Sequence, residues 1–415
     1  MSNRPLQRPD GVISRRHFLY IAGGTVAVTA GVSVLAACGA SATPTPTTAP
    51  TTAPTAAPTG AAPTPTAAGG AKWAPTCETT EGKMALYSWA GYEGPEVPEM
   101  QAFWKEAGIS LDFKEVSAVN MVTFMKAPGA ENWDAFTVNQ GDNNYYNAQG
   151  IMSEITIDEV PNLAKMYPLV KDNSIWKIRD GVYNAIPWTI GPLGINYIKG
   201  KIEDIKSYNQ VLDAKFRNRV GCFDDPLNMI STGACAVELD PGKLTRDELN
   251  GPVKDWLMKL KPQLKVLSPS LGDQLTLLVQ GDVDIQLVGL LWNIPQGKEQ
   301  GVDCVFVYPE EGTYGFVDSV AITPWAPNRC AALAYANAVM TPQTAGPLNA
   351  SIMGIGPTDE INAAVDPAVR DLYPKDIEKD FFGAMKWNVS YYDPAGPYAT
   401  IEEWNKVWND VKTAG

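Results

Sequence analysis

The chain has 415 residues, with 46 Asp and Glu against 33 Lys and Arg, six cysteines, one histidine and a formal charge of −13. The lone histidine, His17, lies near the N-terminus, so the rest of the chain can hold neither a Ser-His-Asp or Cys-His catalytic unit nor a metal site that needs imidazole. The acidic balance argues against nucleic acid or an anionic membrane surface as the main partner, and leaves carboxylate chemistry, thiol chemistry or binding without chemistry.

Ser14-Arg15-Arg16-His17-Phe18-Leu19 leads into an apolar run over residues 20–37, diluted by Gly23, Gly24, Thr25, Thr29, Gly31 and Ser33. A basic stretch ahead of an apolar one reads as a secretory signal. The paired arginines with Phe-Leu resemble a twin-arginine export signal. The run closes on Leu35-Ala36-Ala37-Cys38-Gly39, which resembles a bacterial lipobox. That resemblance implies cleavage before Cys38 and a lipid on its thiol. The other reading is an uncleaved anchor, since the run is near the ~20 residues needed to span a bilayer. Both place the remainder outside the membrane. Loss of residues 1–37 removes four arginines and one aspartate and takes the charge to −16.

Residues 38–81 read as a tether. From 39 to 71 there are only Ala, Thr, Pro, Gly and one Ser, so nothing is available to bury. Seven prolines favour an extended polyproline path. At ~3.1 Å per residue it reaches up to roughly 100 Å. Five cysteines follow the tether's first residue: Cys77, Cys222, Cys235, Cys304 and Cys330. An oxidising compartment permits disulfides. The sequence-local pairings are Cys222–Cys235 and Cys304–Cys330, although spacing alone does not fix connectivity.

The remaining elements alternate. Residues 83–89 form an apolar run that reads as a strand. The 3–4 spacing of Val97, Met100, Phe103 and Trp104 predicts a helix opening at Pro95. Ile109, Leu111 and Phe113 alternate as a strand, completing a βαβ unit. Further strands are expected over 133–139, 182–187 and 193–198. Thr245-Arg246-Asp247-Glu248 is a capping box that opens a helix through Trp256 and Leu260. A helix over 273–279 and a strand over 283–290 flank Gly281. Strands follow at 302–308 and 317–322. Asn328 is placed to cap a helix over 329–340, and a second capping box at Thr400–Glu403 opens the C-terminal helix. About 335 residues of alternating β and α exceed one core, so two lobes joined by crossing strands are expected.

No glycine-rich phosphate loop follows a strand and no nucleophile elbow occurs. Asp224-Asp225 follows an apolar run; on a strand their side chains point to opposite faces, so one would enter a cleft. The plainer reading makes either of them a helix cap. Asp318 interrupts the apolar run Phe316–Ile322, where a carboxylate is costly unless it is paired or faces a cavity. Aromatic residues gather at expected strand ends: Trp89, Tyr92, Trp188, Trp292, Tyr314, Phe316 and Trp387. Together these describe an acidic cleft with aromatic walls, suited to an ammonium ligand. The residues alone also allow a carboxylate-only glycosidase, or an adhesin or sensory module on a stalk.

Several segments resemble the extracytoplasmic polyamine-binding proteins of ABC importers, the spermidine/putrescine type. Leu86-Tyr87-Ser88-Trp89-Ala90-Gly91-Tyr92 with Pro95 is similar to their first strand and turn. Ile186–Tyr197 is similar to their interlobe strand. Gly281-Asp282-Val283-Asp284 through Trp292-Asn293, then Phe316–Ile322, then Gly354-Ile355-Gly356-Pro357-Thr358 follow in the family's order. The resemblance spans residues 83–412. It implies a two-lobed α/β periplasmic-binding-protein fold of type II, each lobe a mostly parallel sheet flanked by helices. Lobe 1 is then expected over 82–188 and 313–357, and lobe 2 over 189–312 and 358–415.

The same resemblance implies that Trp89 and Tyr92 pair over the ligand, that Asp225 and Asp318 bind amines, and that Trp292 is a wall. Phe316 stands where the family often has Trp. Asn228 replaces a common acid, Ile355 a common Tyr, Asn388 a common Gln, and Asn139 a small hydroxyl residue. The implied function is capture of a small cationic ligand, a polyamine or related amine, for an ABC permease. The protein is expected as a monomer without cofactor, metal or nucleic acid, outside the cytoplasm and held to the membrane through Cys38. A sugar or another solute remains the alternative cargo.

Overall fold

The structure, a computed structural model, describes residues 71–115 and 121–414. The export signal, the lipobox with Cys38 and most of the expected tether lie outside the described residues. Residues 71–81, expected as the tether's end, are instead docked. Trp73 meets Phe103 edge-on at 5.0 Å, and Ala74 and Cys77 are buried. Cys77 is disulfide-bonded to Cys330, 253 positions away.

That bond corrects both local pairings. Cys222, Cys235 and Cys304 are free and buried. Cys222 lies on the strand Val220–Phe223 and Cys235 near the end of the helix Pro226–Ala236. Cys304 and Cys330 belong to different halves of the molecule.

β1 (Gly82–Ser88), α1 (Pro98–Glu106) and β2 (Ile109–Glu115) form the expected βαβ unit, with Gly82 opposite Ile109 in parallel register. The helix starts at Pro98, not Pro95, because successive turns from Gly91 to Gly94 and Gly94 to Val97 occupy the chain first. Met100, Phe103 and Trp104 face the core as their spacing predicts. β3 (Ala135–Asn139) runs parallel to β1 and passes directly into α2 (Gln140–Ala148).

β4 (Ile186–Ile198) is one continuous strand, all of it buried, where two were expected. The expected strands, 182–187 and 193–198, left Gly191 between them. Gly191 is instead a place of close approach, since a Cβ there would lie 2.5 Å from ring carbons of Phe316. β5 (Val220–Phe223) leads into α3 (Pro226–Ala236). β6 (Leu264–Ser268), α4 (Gln274–Gln280), β7 (Ile285–Gly289), α5 (Asn293–Glu299) and β8 (Cys304–Val307) follow. β9 (Tyr314–Ile322), α6 (Arg329–Ala338) and α7 (Ile401–Thr413) complete the frame.

Both capping boxes are present, at Thr245/Glu248 and Thr400/Glu403. The helix behind the first is interrupted by a π turn at Leu249–Val253, around Gly251 and Pro252, before it resumes at Lys254–Leu260. Asn328 does not cap α6 with its side chain. Its backbone N–H and side-chain amide donate to Asp134.

The strands lie in the order β2-β1-β3-β9-β4-β7-β5-β6, with β8 also on β4. The first half of β4 pairs antiparallel with β9, and its second half pairs antiparallel with β7 and β8. β4 therefore passes from one lobe to the other, as the expected crossing strands require. One core gathers Leu86, Phe103, Trp188, Val320 and Tyr335; the other gathers Ile195, Val220, Leu257, Leu287 and Trp404. Residues 358–390 were expected with lobe 2. Their Val365, Val369, Tyr373, Phe381 and Phe382 pack in the first core instead, and only the chain from about Ala399 onward joins the second.

Candidate functional site

Asp318 lies on β9 opposite Asn139 of β3 and Thr189 of β4. It is 5% exposed. The Tyr92 hydroxyl donates to its Oδ2 at 2.6 Å, and Asn139 Nδ2 donates to its Oδ1 at 3.0 Å. Burial raises its pKa to about 6 against the opposing effect of those two donors. No cation pairs with it among the described residues. Tyr92 meets Trp188 edge-on at 4.9 Å, and burial with the nearby Asp318 charge pushes its phenol well above its usual range. Asn139 is also the N-cap of α2, its Oδ1 accepting from the Gly141 N–H.

Asp224 and Asp225 diverge as strand geometry predicts. Asp224 accepts from Trp408 Nε1 and Lys412 Nζ, and so anchors α7. Asp225 caps α3, accepting from the Asn228 backbone N–H at 2.9 Å and its side-chain amide at 2.6 Å. The helix-cap reading of Asp225 is thus the one these contacts show. Asn228 serves that cap and binds Asp225, and burial raises the Asp225 pKa.

A third carboxylate was missed. Asp142, in the first turn of α2, has its pKa raised to about 7 by burial, then by the charges of Asp225 and Asp318. Among the described residues no three His, Cys, Asp or Glu side chains are placed to hold a metal ion. The only sequence signal for Asp142 is its position just past a strand end, within the polar run Asn139–Asn144.

Asn388 does not stand free to meet a ligand. Gln140 Nε2 donates to its Oδ1 at 2.5 Å, and its own Nδ2 donates to Ser231 Oγ at 3.2 Å. It thus ties α2 to α3 across the lobes. Within the second core, Tyr314 donates to the Asn228 carbonyl at 2.8 Å. Tyr145 stacks on Tyr392 at 3.9 Å. Gly141 sits against Leu227 so closely that a Cβ would lie 2.7 Å from its Cδ2.

Phe316 is half-buried against the second core, over Gly191. Trp292 is half-buried at the start of α5 and packs against the first core. The turn before it holds Val288 at φ 61, a costly conformation for a β-branched residue. Gln274 donates to the Val288 carbonyl and Asn196 accepts from the Leu290 N–H, which fixes that turn. Trp89 is 40% exposed. Ile355 is fully buried in the first core, and its backbone bridges Ile190 in both directions. The structure thus brings Tyr92, Asn139 and Asp318 together, joins Asp225 to Asn228, makes Asn388 a strap and turns Ile355 inward.

Two α/β lobes with strands running from one to the other define a two-lobed fold of the binding-protein kind. Solved structures agree on the fold. The spermidine/putrescine ABC transporter substrate-binding protein PotD from Streptococcus pneumoniae superposes with a TM-score of 0.63 at 17% identity, covering 80% of this chain and 97% of its own. The putrescine-binding periplasmic protein PotF of Escherichia coli is 21% identical over 345 residues, 78% of this chain and 90% of that protein. Spermidine/putrescine-binding periplasmic protein 1 of Haemophilus influenzae is 27% identical over 314 residues, 71% of this chain and 78% of that protein. The chain belongs to the bacterial extracellular solute-binding protein family, whose model matches residues 99–370. That family consists of transport binding proteins, not enzymes.

Proposed function

We propose that this chain is a lipid-anchored receptor that closes its two lobes around a small cationic ligand, a polyamine or related amine, and delivers it to an ABC permease. The observation that carries the reading is Asp318: a buried carboxylate held by Tyr92 and Asn139, with no cation beside it among the described residues. Such a charge is costly until a positive group fills the space. An ammonium does so through charge-assisted hydrogen bonds, and the neighbouring rings add about 0.5–2 kcal/mol each through cation–π contact. The named ligands of the relatives, putrescine and spermidine, fit this chemistry. Cys38 behind Leu35-Ala36-Ala37 supports the lipid anchor.

Isothermal titration with putrescine, spermidine and glucose tests the ligand class. Either amine binds and glucose does not. Asp318→Asn loses more affinity than Asp225→Asn, since Asp225 already has the Asn228 donors. Tight glucose binding with amine binding weaker than about 1 mM would refute the amine assignment.

A further inference from the structure

β3 ends at Asn139, which pairs with Asp318, while β9 runs back to Tyr314 along β4. Just beyond that end, the Val317 N–H and the Gly315 carbonyl need partners that β3 does not supply. The side chain of Gln140, the first residue of α2, takes both. Its Oε1 accepts from the Val317 N–H at 2.6 Å, and its Nε2 donates to the Gly315 carbonyl at 2.9 Å. A side-chain amide thus continues the ladder where the strand has stopped. Directly before it, Asn139 donates to Asp318 at 3.0 Å. The start of α2 therefore grips β9 at Asp318 itself and at the residues leading to it.

Gln140 is 1% exposed, and its second amide proton is also used. Nε2 donates to Asn388 Oδ1 at 2.5 Å. Asn388 is buried, and its Nδ2 donates to Ser231 Oγ at 3.2 Å. Ser231 lies buried in α3 and donates in turn to the Leu227 carbonyl at 2.6 Å. The donors all point one way, from β9 toward the helix that Asp225 caps. The chain changes lobes at the Asn388–Ser231 bond. Trp387 and Val389 pack against the first core, whereas Met229, Ile230 and Ala234 belong to the second. Parting the lobes here breaks that bond, and buried amides in a network are costly to leave unpaired.

We propose that Gln140 is a positioning residue that joins the Asp318 site to lobe closure: it fixes β9 beside Asp318 and, through Asn388, ties that strand to Ser231 of the other lobe, slowing release of a bound amine. This rests on the amine reading above. A bond completed only once the lobes meet acts on the rate of leaving more than on the rate of arriving.

The test is the rate of binding and of release of labelled putrescine and spermidine by the full chain, as wild type, Ser231→Ala, Gln140→Met and the double variant. Ser231→Ala leaves β9 untouched, yet releases amine at least about fivefold faster while association changes less than about twofold. Gln140→Met releases at least about tenfold faster, and the double variant stays within about twofold of it, because one chain is cut twice. If Gln140→Met does not fold, the Ser231→Ala arm decides alone. A role confined to bracing β9 would leave Ser231→Ala with wild-type release. That result overturns the proposal, as does a double variant whose effects multiply, or a loss that falls on association. Wild type that binds neither amine refutes the amine reading and the proposal with it, and is seen in the arm without substitution.

Discussion

Asp318, Asp225 and Asp142 differ in how they are held, and the difference decides what each contributes. Asp318 accepts from two side chains, Asp225 caps a helix through Asn228, and Asp142 lies in the first turn of α2. All three have pKa values raised by burial, Asp318 to about 6 and Asp142 to about 7. A raised carboxyl pKa means that the folded chain holds protons the unfolded chain releases. The unliganded protein is therefore unaffected by these groups below about pH 4 and loses stability through them as pH rises toward 7. A cationic ligand favours the ionised forms, so its affinity moves the other way. We expect amine affinity to be at least about tenfold weaker at pH 5 than at pH 8. Titration at both pH values checks this; affinity that is flat, or stronger at pH 5, would show that the carboxylates do not meet the cation. Asp318 was legible in the sequence because a charge stands out in an apolar strand. Asp142 was not, because among Asn139, Gln140, Asn143 and Asn144 a carboxylate looks like a solvated helix start.

At the scale of elements, the local patterns that one stretch of chain can set by itself were readable. The βαβ unit from β1 to β2 and both capping boxes depend on neighbours a few residues apart. What escaped depends on distant partners. β4 was expected as two strands with Gly191 between them, and the close Phe316 ring on β9 accounts for that glycine. Ile355 looked like a wall residue, but its two backbone bonds to Ile190 turn it into the core. The β4–β9 pairing gives a direct test. Gly191→Ala forces a Cβ into the Phe316 ring, in a strand with no room to move. We expect a loss of about 1–3 kcal/mol in denaturant unfolding, much reduced when Phe316→Ala is added. A single variant as stable as the parent would contradict the packing described.

At the scale of the whole molecule, three passages of chain join the lobes: β4, β9 and the stretch around Asn388. Strands in a shared sheet restrict a hinge to bending about them, while the Asn388 tie and the Tyr145–Tyr392 stack can break and reform. Capture and release then follow from one motion. We propose that closure brings Asp225 of one lobe toward Asp318 of the other, and that a cation between them removes the repulsion that opposes it. The Cys77–Cys330 bond fastens the chain ahead of β1 to α6, against the first core. It was invisible to local spacing because its cysteines lie 253 positions apart. The most direct test of the central claim is a crystal structure of the full chain grown with spermidine. The account predicts an ammonium nitrogen within about 3 Å of the Asp318 carboxylate, at hydrogen-bonding distance. An amine bound elsewhere, with Asp318 still held only by Tyr92 and Asn139, would contradict it.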